Sequence, residues 1–274
     1  MQYARYSRPA TDAASLHGPL IRERSVMRVA AIYDIHGNLP ALEAVLQDVR
    51  RSDADHIVVG GDVVPGPMPS ETLACLLDLD IPVRFIQGNG DRTVLAEMAG
   101  TEASEVPEQF RGVVRWTARQ LHPEHARLLA SWPKTLRVEI PGLDEVLFCH
   151  ATPRSDTEIF TRLTPEDRLL PVFEGVNVPL VVCGHTHTQF DRMVGKVRVV
   201  NAGSVGMPFG EPGAYWLLLG PTVQLRHTPY DLADAAKRIR ETKYPQADDF
   251  AARNVLQPSS EEEVLDRFTK GELS

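Results

Sequence analysis

Five short motifs rich in aspartate, asparagine and histidine dominate this sequence, and each follows an apolar run typical of a buried strand. They are D-I-H-G-N at positions 34–38, G-G-D at 60–62, G-N-G-D at 88–91, C-H at 149–150 and G-H-T-H at 184–187. Open α/β sheets collect their ligands at the carboxyl ends of their strands. The pattern therefore predicts a fold that carries the polar residues of all five motifs at strand ends.

The first half of the chain alternates between strand and helix patterns. Asn38 stands where a helix needs a capping residue, and Leu42, Leu46 and Val49 fall on one face of the helix that follows. The predicted order is strand 28–33, helix 39–51, strand 56–59, helix about 70–79 and strand 83–86. Short links between such elements indicate right-handed crossovers that feed a parallel sheet.

Strand patterns dominate after Pro133, whereas residues 92–132 are mostly helical in pattern and predict a cap over the site. Strands are predicted at 136–140, 146–149, 180–183, 189–194, 197–200, 214–219 and 223–227. Short turns at 141–142, 195–196 and 220–221 favour antiparallel pairing in a second, mixed sheet. The predicted fold class is α/β, a two-sheet mixed β-sandwich flanked by helices.

The two ends of the chain differ from its centre. Residues 1–26 are polar, contain Pro9 and Pro19 and lack any periodicity, so they predict a disordered leader before an ordered domain at 27–230. A start codon assigned too far upstream would give the same pattern. Residues 231–274 predict a C-terminal helical extension packed on the domain, with helices at about 232–242 and 261–269.

Composition narrows the class of partner. A formal charge of -8 leaves no basic surface, so we expect no polymeric nucleic acid, although small phosphorylated ligands can still bind near cations. The odd count of three cysteines argues against a disulfide framework and indicates a cytoplasmic protein. We expect no membrane association, because no stretch approaches the roughly 20 apolar residues that span a bilayer. The sequence does not indicate an oligomeric state.

Seven side chains in the motifs are candidate metal ligands. The candidates are Asp34, His36, Asp62, Asn89, His150, His185 and His187. A mixed oxygen and nitrogen set of this size is too large for one tetrahedral zinc and suits two ions that share a bridging carboxylate. Two divalent ions about 3.5–4 Å apart lower the pKa of a bridging water and stabilise both the attacking and the leaving oxygen of a phosphoryl group. Phosphoester hydrolysis by a metal-bridging hydroxide is the predicted chemistry, and it needs no serine or cysteine nucleophile.

The order of these motifs resembles the calcineurin-like metallophosphoesterase superfamily. The segment N-A-G-S-V-G at 201–206 is also similar to a segment of its small prokaryotic phosphodiesterase (YfcE-like) branch. The resemblance implies a four-layer αββα fold. It also implies that Asp34, His36 and His187 bind one metal, that Asn89, His150 and His185 bind the other, and that Asp62 bridges them.

The resemblance and the ligand chemistry together predict a phosphodiesterase. Mn²⁺ is the expected ion, with Fe, Zn, Ni or Co as alternatives, and Asp62, Asn89 and His150 are the expected catalytic residues. The expected substrate is a small phosphodiester or a dinucleoside polyphosphate. The alternatives are a broad-specificity phosphomonoesterase and a non-catalytic scaffold on the same fold.

Two positions depart from the family pattern. Gly90 stands where many members carry a histidine that protonates the leaving group or holds the phosphate; without that acid, we expect substrates whose leaving groups have a low pKa. Phe209, in M-P-F-G at 207–210, stands where relatives often have an arginine. Arg92 and Arg154 are candidate replacements that would bind the substrate phosphate together with Asn89, although a surface ion pair is an equally good interpretation of each arginine.

Overall fold

The computed structural model describes residues 27–101, 106–271 and 273. The predicted disordered leader at 1–26 lies outside these residues. The described residues form two five-stranded mixed sheets with helices on their outer faces, which confirms the predicted fold class.

The first sheet has the strand order β10, β9, β1, β2, β3. Its strands are β1 (Val29–Ile32), β2 (His56–Val59), β3 (Val83–Phe85), β9 (Ala214–Leu219) and β10 (Val223–Thr228). Strands β1, β2 and β3 are parallel, whereas β9 is antiparallel to both β1 and β10. Because β1, β2 and β3 are parallel, the loops that follow these three strands all lie at the same end of the sheet.

The second sheet has the strand order β4, β5, β6, β8, β7. Its strands are β4 (Thr135–Ile140), β5 (Asp144–Cys149), β6 (Leu180–Cys183), β7 (Phe190–Val194) and β8 (Val197–Asn201). Strands β5, β6 and β8 are parallel, and β4 and β7 flank them as antiparallel edge strands. The carboxyl ends of β5 and β6 carry the remaining motifs.

The helices surround this sandwich. Their bounds are α1 (Leu39–Arg51), α2 (Pro69–Leu77), α3 (Asn89–Met98), α4 (Glu108–Gln120), α5 (Pro123–Ser131), α6 (Glu166–Phe173), α7 (Leu232–Arg240), α8 (Ala247–Phe250), a π-helix (Ala251–Leu256) and α9 (Glu261–Thr269). Helix α1 has the predicted bounds, and the Asn38 side chain caps it by accepting a hydrogen bond of 3.3 Å from the Ala41 N–H.

The alternation of side chains along β1 divides the core into layers. Val29, Ala31 and Tyr33 belong to the apolar cluster between the two sheets. Ala30 and Ile32 point the other way and belong to the cluster beneath α1 and α2. Because successive residues of a strand face opposite sides, one apolar run without polar interruption serves both layers.

The prediction that strands 214–219 and 223–227 belong to the second sheet is wrong. They form β9 and β10, and β9 pairs with β1 in the first sheet, with Val29 opposite Leu219. The predicted hairpin itself is present. Turn chemistry specifies that two strands pair with each other, but it does not specify which open sheet edge the hairpin joins.

The predicted elements also omit two helical segments. Helix α6 contains Pro171, which conceals its pattern because proline lacks the N–H of a helix interior. The segment of α8 and the π-helix is divided between two hydrogen-bonding patterns, so it lacks one helical period. Within the residues that the structure describes, no helix is both long enough and apolar enough to cross a bilayer.

We predict that Phe148→Ala destabilises the protein by about 3–5 kcal/mol, because it opens a cavity between the sheets. The Phe148 side chain is fully buried there. Leu225→Ala is the control. Leu225 lies on β10 and is 42% exposed, so this substitution should lower the free energy of unfolding by less than about 1 kcal/mol. Urea unfolding followed by tryptophan fluorescence measures both losses. Equal losses would contradict the assignment of the main core to the space between the sheets.

Candidate metal centre

The loops after five parallel strands bring the predicted metal ligands together. Asp34 and His36 follow β1, Asp62 follows β2 and Asn89 follows β3, while His150 follows β5 and His185 and His187 follow β6. The donor atoms of Asp34, His36 and His187 lie within 4.8 Å of one another, and so do those of Asp34, Asp62 and His150. The two sheets thus contribute ligands to one cluster.

His36 and His187 face each other through atoms that both carry lone pairs. Nδ1 of His36 lies 3.2 Å from the carbonyl oxygen of Pro65, and Nδ1 of His187 lies 2.8 Å from that of Met207. A carbonyl oxygen only accepts, so Nδ1 carries the hydrogen in each ring. The two Nε2 atoms lie 3.2 Å apart. Neutral rings in this arrangement repel each other unless a cation lies between them.

His150 is held in the same way. Its Nδ1 lies 2.9 Å from the Gly60 carbonyl oxygen, which leaves the lone pair on Nε2. That Nε2 lies 3.0 Å from Oδ1 of Asn89 and 3.6 Å from Oδ1 of Asp62. The carboxylate oxygen has no hydrogen to donate, so this side of the cluster also collects acceptors.

Asp34 carries an unsatisfied buried atom at the centre of the cluster. Its Oδ2 accepts a hydrogen bond of 2.8 Å from the His185 N–H, but its buried Oδ1 has no hydrogen-bond partner. A buried carboxylate oxygen without a partner is costly unless a cation compensates it. The donor set is of the mixed oxygen and nitrogen type that divalent metal ions bind, so these residues fit such ions.

The surroundings of Asp34 and His185 keep these two side chains in the protonation states that metal binding requires. Burial alone would raise the pKa of Asp34, but the surrounding imidazoles of His187, His150 and His36 hold it well below its usual value. Burial lowers the pKa of His185 to about 4. An ionised carboxylate and a neutral imidazole are the metal-binding forms of these side chains.

His185 lies at the edge of the cluster. Its ring centroid is 5.1 Å from that of His150, and its Nε2 lies 3.2 Å from the Thr157 carbonyl oxygen. This contact assigns the hydrogen to Nε2 and leaves the lone pair on Nδ1.

Five of the seven predicted ligands adopt left-handed backbone conformations that side-chain-bearing residues rarely occupy. These residues are Asp34, His36, Asp62, His185 and His187, with φ between 49° and 67°. Such conformations cost about 1–3 kcal/mol each and persist only where the surrounding structure enforces them. Here the loops after β1 and β2 continue to pair beyond the strands, for example through His36 N–H to the Asp62 carbonyl at 2.9 Å.

The N-A-G-S-V-G segment holds the ligand loops in place through hydrogen bonds and close backbone contact. Asn201 donates to the Gly184 carbonyl oxygen at 2.7 Å, and the Ser204 hydroxyl donates to the Asp34 carbonyl oxygen at 2.8 Å. The backbone passes so close to the first loop that a Cβ on Gly206 would lie 1.8 Å from the Ile35 carbonyl oxygen. The segment therefore supports the ligand loops and provides no donor atom to either candidate metal group.

The family model for the calcineurin-like phosphoesterase superfamily domain matches residues 27–220, which span all five motifs. The chain belongs to this superfamily. A relative in Methanocaldococcus jannaschii is 29% identical over 239 residues, which cover 80% of this chain and 94% of the relative. The predicted superfamily is thus confirmed, and the chain is a metal-dependent phosphoester hydrolase by family and by donor set.

Two crystal structures show how far the fold extends. A metallophosphoesterase from Sphaerobacter thermophilus is 28% identical and superposes with a TM-score of 0.65, covering 84% of this chain and 100% of its own. A protein from Pyrococcus horikoshii OT3 superposes with a TM-score of 0.71 at 21% identity, covering 85% of this chain and 100% of its own.

The structure leaves no room for a side chain at Gly90, the position that departs from the superfamily pattern. A Cβ at this position would lie 2.6 Å from Cγ of Pro65 and 3.0 Å from Oδ1 of Asp62. The Gly90 N–H donates to that same Oδ1 at 2.7 Å. A histidine at position 90 would have to displace Pro65, so the glycine is required as long as the proline is present.

The structure places the two predicted phosphate-binding arginines differently. Arg92 lines the pocket above the metal ligands, where its Nε donates to Asp156 at 2.7 Å. Arg154 forms an ion pair with Glu158, has a side chain 51% exposed and does not line that pocket. The substrate-binding role of both arginines stays a prediction, and Arg92 is the better placed.

Asp91 is a site residue to which the sequence analysis assigned no role. It is fully buried and accepts hydrogen bonds from the N–H groups of Val63, Val64 and Gly88 at 2.9, 3.1 and 3.2 Å. It thereby ties the loop that carries Asp62 to the loop that carries Asn89. Its position in the G-N-G-D motif is the signal that could have revealed it.

A metal-induced rise in thermal stability tests the site without an activity assay. Saturating Mn²⁺ is expected to raise the melting temperature above that in EDTA, because an ion that binds at one hundred times its Kd stabilises the folded state by about 2.7 kcal/mol. Asp34→Asn and His187→Ala should lose most of the rise. His125→Ala is the control, because His125 lies on α5 outside the cluster, and it should keep the rise. Equal rises in all four proteins would contradict the assigned site.

Proposed function

We propose that this protein is a dinuclear phosphodiesterase that hydrolyses a small phosphodiester or a dinucleoside polyphosphate, with Mn²⁺ as its preferred ion. The observation that carries the proposal is the pairing of acceptor atoms in two adjoining groups. His36 faces His187 in one group, and His150 faces Asn89 in the other. In each group a cation would compensate acceptor atoms that face one another, so the residues are compatible with two ions.

Asp62 is suited to the bridging role that the family resemblance implies. Its Oδ2 lies 3.7 Å from Nε2 of His36, and its Oδ1 lies 3.6 Å from Nε2 of His150. One carboxylate therefore presents an oxygen to each group. The Gly90 N–H fixes its orientation. When bound, two divalent ions activate water and stabilise the charge on the attacking and leaving oxygens of a phosphoryl group.

The protein side chains near the cluster favour water over a protein nucleophile. Cys149 is fully buried, and burial raises the pKa of its thiol, so it does not supply a thiolate. The Ser204 hydroxyl already donates to a backbone oxygen. Cys149 and Ser204 therefore both have structural roles.

Gly90 restricts which substrates the proposed site turns over. Without a histidine at this position, the group that donates a proton to the leaving oxygen in many family members is lost. Leaving groups of low pKa, such as aryl oxides and phosphates, do not need that proton. Diesters and phosphoanhydrides are therefore favoured over alkyl monoesters.

Asp62→Asn and His150→Ala are expected to lower the kcat for bis(p-nitrophenyl) phosphate by more than about 100-fold, because even the outer partners of metal ligands are worth about 10–100-fold. Asp144→Asn is a matched control, since Asp144 has a φ of 57° like Asp62 but lies at the start of β5. It should retain activity. Near wild-type turnover by either site variant would refute the mechanism.

The leaving-group preference is tested by comparing two substrates at equal concentration. Hydrolysis of bis(p-nitrophenyl) phosphate should exceed hydrolysis of glycerol phosphate, because p-nitrophenoxide leaves without protonation. Faster release of phosphate from glycerol phosphate would favour the broad-specificity phosphomonoesterase instead. Metal binding without turnover of either compound would favour the scaffold.

A further inference from the structure

One wall of the pocket above the metal ligands is formed by a part of the chain that lies outside the superfamily model. It has a volume of about 600 Å³, and its floor includes His36, Asp62 and Asn89. Helix α4 forms one wall, and α8, the π-helix and α9 form another. The second wall begins after residue 220, where the match to the superfamily ends. Pockets of this size accept nucleotide-sized ligands.

The C-terminal wall is attached directly to the ligand loops. The Gly210 N–H donates to the Ser259 carbonyl oxygen at 2.9 Å, just before α9. Phe209 stacks on His187 with ring centroids 5.6 Å apart and meets Phe268 of α9 at 6.2 Å. A predicted metal ligand is thus connected to α9 through two aromatic rings. The position of α9 relative to the cluster is fixed by packing.

This wall presents positive charge to the pocket. Arg253 of the π-helix and Arg267 of α9 both line it, together with Asp249. Asp249 pairs with Arg253 at 2.8 Å. Opposite them, the charge of Arg92 is balanced by Asp156. The C-terminal wall therefore carries a net positive charge, which belongs to Arg267.

Three of the acidic residues that share α9 with Arg267 are engaged elsewhere. Glu261 pairs with Arg162 at 2.8 Å, and Asp266 pairs with Lys270 at 3.1 Å. The Glu263 carboxylate accepts from the Ser260 N–H at 3.2 Å at the start of the helix. Arg267 forms no ion pair with any residue that the structure describes, so its guanidinium remains available to an anion.

The opposite wall is apolar. Phe110, Val113 and Val114 of α4 line the pocket, and Phe110 is 45% exposed. Trp116 on the same helix meets Tyr244 edge-on, with centroids 5.3 Å apart, which joins α4 to the C-terminal segment. An exposed aromatic ring in a pocket is a surface on which a planar base can stack.

We propose that the C-terminal segment makes this site specific for nucleoside phosphoanhydrides. Arg267, assisted by Arg253, binds a phosphate that is not cleaved, and Phe110 stacks on the base, while the scissile phosphate lies over the metal ligands. Water adds its hydroxyl to phosphorus as the P–O bond to the bridging oxygen breaks, and the departing phosphate keeps the electron pair while the proton passes to solvent. This inference rests on the proposed function and selects among its substrates.

Steady-state kinetics of the Mn²⁺-loaded protein on two substrates test the proposal. Diadenosine tetraphosphate has additional phosphates and bases, whereas bis(p-nitrophenyl) phosphate has neither. Arg267→Ala is expected to raise the KM for diadenosine tetraphosphate about tenfold with little change in kcat, because it removes binding remote from the reacting bond. Its effect on bis(p-nitrophenyl) phosphate should be several times smaller. Arg267→Lys should give a KM between those of the wild type and Arg267→Ala, since lysine keeps the charge but lacks the planar guanidinium.

Lys270→Ala is the matched control, because Lys270 is a cation on the turn after α9 that pairs with Asp266 and does not line the pocket. It should leave both substrates unchanged. Equal losses of Arg267→Ala on the two substrates, or no loss on diadenosine tetraphosphate, would overturn the C-terminal specificity site while the hydrolase assignment stands. Failure of the wild-type protein to hydrolyse either substrate with any divalent ion would overturn the proposed function itself.

Discussion

The repulsion between histidine and carboxylate lone pairs is the constraint on which the site depends. Backbone carbonyl oxygens of Pro65, Met207 and Gly60 fix Nδ1 of three imidazole rings, so the three Nε2 atoms must face other acceptors. With neutral rings and no cation such a cluster is unfavourable, because lone pairs at hydrogen-bond distance repel. The fold holds it together through loops that are hydrogen-bonded across the two sheets, and a bound cation would offset the repulsion.

The interface between the two sheets holds the ligand loops in this arrangement. Tyr33 is fully buried, and its hydroxyl donates to the Val182 carbonyl oxygen of β6 at 3.1 Å, so it ties the first sheet to the second. A glycine is required at position 60, since a Cβ there would lie 1.9 Å from the Tyr33 ring. Burial raises the pKa of the Tyr33 hydroxyl, which therefore remains a donor. The same core that stabilises the sandwich thus sets the distance between the two halves of the metal site.

The shared superfamily domain and the segments beyond it have different tasks. The domain provides the metal ligands and their supporting loops, which the chemistry requires in nearly fixed geometry. The C-terminal segment and α4 are free of that requirement, and in the proposed specificity site they surround the part of the substrate that does not react. Phe209 joins the two regions, because it stacks on His187 and also meets Phe268. The position where relatives often have an arginine has thereby become a packing contact for α9.

The sequence by itself determined most of the elements and the types of the candidate ligands. Periodicity placed α1 and β2 at their observed bounds, and polar residues directly after apolar strands identified the seven candidate ligands, because both signals are local. Only the tertiary structure decided that β9 joins β1, that Arg154 pairs with Glu158 outside the pocket and that Arg267 lines it. Each of these depends on contacts between residues far apart in the chain, or on which of several neighbours a flexible side chain meets. No local pattern encodes such choices, since they are made by the packing of the whole fold.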